Sequence, residues 1–114
     1  MMLAMAYELE TTGAADREFI RKYTVGYDAF RPYLTGEKDG TAKTPEWAEK
    51  ICGVKADEIR ALVREMKAKR TMLMGGWGIQ RAEHGEQVHW MMVVLAAMLG
   101  QIGLPGGGFG FTYH

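Results

Sequence analysis

The chain has 114 residues, enough for one small domain that takes roughly 60–70% of its unfolded surface out of water. Fourteen basic and fourteen acidic residues balance to a formal net charge of +0, which leaves no electrostatic footprint for nucleic acid or an anionic membrane. A single cysteine excludes an internal disulfide framework and a cysteine metal cluster. Cys52 sits in an apolar helical pattern, so the expectation is a buried, inert thiol. The 15 glycines crowd into the last third, and the nine methionines suit a core or an interface.

Residues 2–12 hold Leu3, Ala4, Ala6, Tyr7 and Leu9, mostly good helix formers, with Gly13 as the stop. The chain opens inside this apolar helix with no capping residue ahead of it, the pattern expected of a piece of something longer. The same residues lack the basic region and cleavage site of a secretory signal. Asp16 caps a second, short helix with Phe19, Ile20 and Tyr23 on one face. A further turn of helix is expected from Tyr27 to Leu34, with Pro32 in its middle, and residues 36–43 read as a surface loop. Thr44-Pro45-Glu46 is a helix start: a capping threonine, proline at the first helical position, then an acid. That helix stops at Gly53. The next runs from Ala56 to Ala68, with Ile59, Leu62, Val63 and Met66 on one stripe.

From Thr71 the sequence reads TMLMGGWGIQRAEHGEQVHWMMVVLAAMLGQIGLPGGG. Thr71–Met74 is expected to be a buried strand, followed by a glycine turn and a helix from Glu83 to Leu99. A lone strand cannot satisfy its own backbone groups, and no convincing second strand stands out. The helix is apolar nearly all round after its first turns, the mark of burial on every side. At about ten residues the run Trp90–Leu99 is too short for the roughly twenty of a bilayer span. The tail LPGGGFGFTYH reads as a loop too rich in glycine for a regular element. The fold class is therefore mainly α in isolation, about five helices with one or two short strands, and a piece of an α/β doubly wound domain.

The Gly75-Gly76-Trp77-Gly78 cluster matches neither G-x-G-x-x-G nor a terminal Gly-Lys-Ser/Thr, so Rossmann and P-loop readings fail on spacing. It is either a structural turn or a ligand loop. Gln80, Arg81 and His84 offer amide, guanidinium and imidazole donors near a helix start. They suit a phosphate or diphosphate, or else a solvated helix start. His84 and His89 are five apart and form no helical metal pair. His89 reads as a core or interface histidine. Trp77 has no evident core role in a turn, so an aromatic ligand wall is an alternative. No nucleophile elbow, Ser-His-Asp order or paired carboxylates occur, so no residue is assigned a catalytic or metal-binding role.

The same stretch, MLMGGWGIQR, HGEQ, HWM and LAAMLGQIGLPGGGFG, closely resembles the molybdopterin oxidoreductases of the dimethyl sulfoxide, trimethylamine N-oxide and biotin sulfoxide reductase branch. YTVGYDAFRPYLTGE, KTPEWAEKICGV and IRALVREM extend the resemblance over essentially the whole chain. It implies that residues 1–114 are one fragment of the interior α/β dinucleotide-binding domain of a much larger enzyme. That enzyme would hold molybdenum between two molybdopterin guanine dinucleotides and reduce S-oxides or N-oxides by oxygen-atom transfer. The resemblance places Trp77 and Gly78 beside the pterin and substrate funnel, and Arg81 in reach of cofactor or substrate oxide. Gly76, Gln80 and His84 follow by adjacency. The branch's molybdenum ligand is a serine, and this chain contains no serine. The fragment alone is thus expected to be inactive, without bound cofactor and self-associating. Its implied partners are the rest of the parent enzyme and a small S- or N-oxide, with no nucleic acid and no membrane span. The bacterial periplasm is expected ahead of the cytoplasm, with any export signal outside this stretch. A reading from a different class is a free-standing, non-catalytic helical interaction module.

Overall fold

The computed structural model describes residues 1–111. Along the chain run α1 (Met2–Thr11), α2 (Arg17–Tyr23), α3 (Tyr27–Thr35), α4 (Pro45–Cys52), α5 (Ala56–Ala68), β1 (Met72–Gly75), a 3-10 turn (Trp77–Ile79), α6 (Glu86–Leu99) and β2 (Gly108–Phe111). The caps explain the boundaries. Asp16 accepts a hydrogen bond from the Phe19 amide at 2.8 Å, and Thr44 accepts one from the Trp47 amide at 3.1 Å. Gly36, Gly53 and Gly100 close α3, α4 and α6 in the left-handed conformation.

The core is built around α1. Ala4, Met5, Ala6 and Leu9 are all buried, and α1 packs against α3, α4, α5 and α6. Alanines at positions 4 and 6 let neighbours approach closely. Leu34, Ala48, Ile59, Val63, Met66, Leu95, Met98 and Leu99 complete the cluster. Each fully buried leucine or isoleucine in it contributes roughly 1.5–3 kcal/mol.

Six expectations are corrected. The glycine-rich tail contains a strand, β2, which pairs in parallel with β1 in the register Met72–Gly108 to Gly75–Phe111. Glycines are tolerated there because the pairing is made by backbone groups; tail residues 112–114 lie outside the described residues. β1 is not a buried strand, since Met72 and Met74 point outward and are exposed while Leu73 and Gly75 are half-buried. Cys52 is exposed: it is the last residue of α4, whose buried residues, Pro45 and Ala48, lie in its earlier turns. The last helix begins at Glu86 rather than Glu83, and it is not covered on every side: Trp90 is 66% exposed. On the α5 stripe, Leu62 is likewise exposed.

One buried carboxylate ties three helices. Glu10 of α1 has a side chain only 4% exposed. It accepts hydrogen bonds from Arg17 (2.7 Å), Arg31 (2.9 Å) and the Tyr27 hydroxyl (2.5 Å). Burial pushes its carboxyl up, but the bonds from Tyr27, Arg17 and Arg31 outweigh burial and hold it below the usual carboxylate range. The Tyr27 hydroxyl is pushed up by its own burial and by the Glu10 carboxylate. Because the folded-state pKa of Glu10 is the lower one, its stabilisation is full above the unfolded value of about 4.3 and fades as pH falls through the folded value. Glu10→Gln keeps the shape and removes the charge. It is expected to cost about 1.5–3 kcal/mol, at the lower end because both arginines are half in water. Denaturant titrations at neutral pH and near pH 3 measure this, and the difference between the two proteins should shrink at the acid pH.

Candidate functional site

Parallel strands cannot be joined by a hairpin, so the chain crosses from β1 to β2 through α6. The unit is a compact strand–helix–strand crossover. Its start is clamped by Gln101, which is buried. The Gln101 side-chain oxygen accepts from the Thr71 amide at 2.7 Å, and its amide nitrogen donates to the Lys69 carbonyl at 3.0 Å. The Gly108 amide then donates to the Thr71 carbonyl at 3.1 Å, setting the register. Gly107 fits this clamp because a Cβ there would lie 2.8 Å from the Gln101 carbonyl oxygen. At the opposite, carboxyl end of β1 the chain leaves the sheet through residues 76–85. Open α/β sheets bind ligands outside the carboxyl ends of their strands.

This loop is a run of tight turns. The amides of Gln80, Ala82 and Gly85 donate to the carbonyls of Trp77, Ile79 and Ala82 at 3.0, 3.1 and 2.9 Å. Gly85 seals it: an added Cβ would fall 1.8 Å from the Ile79 carbonyl oxygen. His84 adopts φ +57, the one non-glycine residue in the left-handed region among the described residues. Gly76, Gly78, Gln80, Arg81 and His84 are all exposed on the loop. Trp77 is 49% exposed, and its ring lies 5.9 Å from that of buried His89 at an interplanar angle of 44°.

The structure thus gathers every sequence-derived candidate on one loop, at one end of the strand pair. It does not join them: among the described residues, Gln80, Arg81 and His84 make no hydrogen bond to one another. Among the described residues Arg81 forms no ion pair, whereas His84 Nε2 lies 3.9 Å from Glu83 Oε1. The expected helix-end contribution is weaker than the sequence suggests, because α6 starts five residues after Arg81 and carries Glu86 in its first turn. The loop's donors are therefore its exposed side chains rather than a helix end. Sequence reasoning missed Gly85 and Gln101. It placed His89 in the interior without seeing what it backs.

A cleft of about 640 Å³ lies elsewhere, between α3 and the outer face of α6. Tyr23, Val25, Phe30, Trp90 and Met91 line it, and no charged side chain does. It offers nothing for an anionic ligand, so the loop is the candidate site.

The two glycines of the loop separate fold from surface. Gly85→Ala must push Ile79 aside and is expected to cost roughly 1–3 kcal/mol, as overpacking does. Nothing lies within 4 Å of a Cβ added at Gly78, so Gly78→Ala is expected to change stability by less than about 0.5 kcal/mol. Thermal unfolding of the two variants, followed by tryptophan fluorescence, measures the contrast.

With this geometry in view, the relatives of the chain are informative. A model of the molybdopterin oxidoreductase family matches residues 22–114. The chain is 60% identical to a trimethylamine-N-oxide reductase of Haemophilus influenzae, over all of its own length and 14% of that protein. It is 58% identical to the dimethyl sulfoxide/trimethylamine N-oxide reductase of Cereibacter sphaeroides, covering 14% of it. It is 55% identical to trimethylamine-N-oxide reductase 1 of Escherichia coli, covering 13% of it. The chain therefore spans about a seventh of the length of these curated relatives. On the match over residues 22–114, the chain belongs to the molybdopterin oxidoreductase family.

Proposed function

We propose that residues 76–85 form one wall of a molybdopterin site in a larger reductase of S-oxides or N-oxides, with this chain as a piece of its interior α/β domain. The observation that carries the reading is the loop at the carboxyl end of β1, which exposes an indole, Trp77, and a guanidinium, Arg81, on one short run of glycine-containing turns. The donor set fits the group. Trp77 offers a flat apolar face to a pterin. The space over Gly78 is clear, so backbone can approach a bulky ligand. Arg81, Gln80 and His84 supply donors for a diphosphate, and Gly76 keeps the turn free of side chain. The guanine dinucleotide form, with two pterins about one molybdenum, is the proposed cofactor, and the resemblance of the sequence supports it. That centre, when bound, supplies the two-electron oxygen-atom transfer. The residues of this chain bind and orient it, and no serine is present to ligate the metal. The proposed compartment is the bacterial periplasm.

Expressed alone, the chain leaves Tyr23, Val25 and Trp90 exposed around one apolar cleft. Contiguous apolar patches of more than a few hundred Å² are rare on monomers. The isolated chain is expected to self-associate, and a clean monomer in sedimentation velocity at micromolar concentration would defeat that expectation.

Arg81 provides the decisive test in the full-length polypeptide that carries this segment. Lysine keeps the charge but loses the planar fork, so Arg81→Lys should not be neutral. Losing a charged hydrogen-bond partner costs about 1.5–3 kcal/mol, or roughly ten- to a hundredfold in binding or rate. Steady-state kinetics, with molybdenum and pterin content, are measured for Arg81→Lys and Arg81→Ala. Lower activity at full cofactor load places Arg81 at the substrate, and parallel loss of cofactor places it at the dinucleotide. Wild-type values for both remove it from the site.

A further inference from the structure

We infer that His89 is a positioning residue: its buried imidazole backs one face of Trp77 and fixes the direction in which the indole meets its ligand. The backbone turns of residues 76–85 hold the path of the chain, but they leave the indole free to rotate about its own side-chain bonds. A ring partner is what limits that rotation. The 5.9 Å separation and tilted geometry of Trp77 and His89 fall within the range of attractive ring pairs, about 4.5–7 Å between centroids. The indole is partly covered. Trp77 is 49% exposed, while His89 behind it is 9% exposed. The backing is itself held rigidly. His89 stands on the first turn of α6, whose later turns lie in the core, and it packs beneath the end of β1. A Cβ added to Gly75 would lie 3.6 Å from His89 Nδ1 and 2.5 Å from Met92 Cε, so a larger residue at position 75 would disturb the support. Strand end, imidazole and indole form one stack from the helix outward.

A histidine that merely fills the interior would be replaced by leucine with no consequence for the indole. A positioning histidine would not, because the flat ring is what the indole leans on. The link to cofactor binding rests on the proposed role of the loop, and the test keeps the two apart. In the full-length polypeptide labelled with 5-fluorotryptophan, the Trp77 resonance is assigned by its loss in Trp77→Phe. His89→Leu is expected to shift that resonance, and His89→Phe, which restores a ring, to bring it back toward the wild-type position. An unmoved resonance in His89→Leu overturns the inference. Where His89→Leu does not fold, the reciprocal arm decides. Trp77→Leu alters a half-exposed position and must move the His89 imidazole signal in protein labelled with ¹⁵N-histidine; an unchanged signal overturns the inference. Retained molybdopterin is then compared across His89→Leu, Trp77→Leu and the double variant. Residues that support ligating groups from behind are worth about 10–100-fold in affinity, and a loss near tenfold is expected from His89→Leu. That loss should vanish in the Trp77→Leu background; equal losses in both backgrounds overturn the positioning role. Full cofactor in Trp77→Leu alone would instead refute the cofactor wall, with the two resonance arms still deciding His89.

Discussion

The arrangement depends on one pairing of two four-residue strands that cannot stand by themselves. A two-stranded ladder is marginal in water, and a parallel one needs a long crossover besides. Here the crossover helix is also the core helix. The inner face of α6, Leu95, Met98 and Leu99, packs against α1, so the energy that buries α6 also brings β2 alongside β1. Gln101 then fixes the register with one side chain, by bonding the two backbone groups just before β1. The position of the loop 76–85 follows from these constraints. It is the connection left over once the strand, the helix and the clamp have been placed.

Buried polar groups mark where the chain is joined, and they separate joints from site. Glu10 gathers α1, α2 and α3 through Arg17, Tyr27 and Arg31. Lys43, 3% exposed, closes the loop after α3 by donating to Asp39 at 2.6 Å and to the Thr41 carbonyl, with its ammonium 4.3 Å from the Tyr33 ring. Each such group has its partners inside the chain, as an isolated buried charge would be costly. The loop shows the opposite pattern. Its donors stand in solvent, on backbone held by turns, which is the condition of groups available to something outside the chain.

Local chemistry was the legible part. Thr44-Pro45-Glu46, Asp16 and the glycine stops act within one turn of chain, and the elements they bound lie where the sequence places them. The stripe of α5 was legible for the same reason, save Leu62, whose exposure depends on how far neighbouring helices reach. β2 was not legible, because four residues, two of them glycine, are too short and too flexible to mark a strand by themselves; its evidence is the backbone of β1, thirty-six residues away in the register Met72–Gly108. Cys52 failed for another reason: it has the helical spacing of buried Pro45 and Ala48 but stands on the last turn of α4, where it is exposed. The candidate loop was legible as a cluster of glycines with donors behind them. What the cluster leans on, His89 and Gly85, required knowing that residue 85 meets residue 79 and that residue 89 meets residue 77.

The charge balance of the whole chain hides its most informative feature, which is local. Several basic groups on or beside the helices have an acid next to them: Lys22 with Glu18, Lys55 with Glu49, Arg60 with Glu46 and Lys69 with Glu65. Such exposed pairs contribute little to stability, but they reduce the net field along the helical faces. Arg81 is among the bases that have no ion pair within the described residues, and it stands on the candidate loop. Its loop has acids nearby in sequence, Glu83 and Glu86, yet neither pairs with it, and His84 stands between. An exposed guanidinium and a half-exposed indole on one short loop suit a ligand that is anionic at one point and flat at another. A simple phosphate would use only the first property, and an apolar ring only the second. A pterin carrying a diphosphate has both, and that is the ligand proposed for the loop.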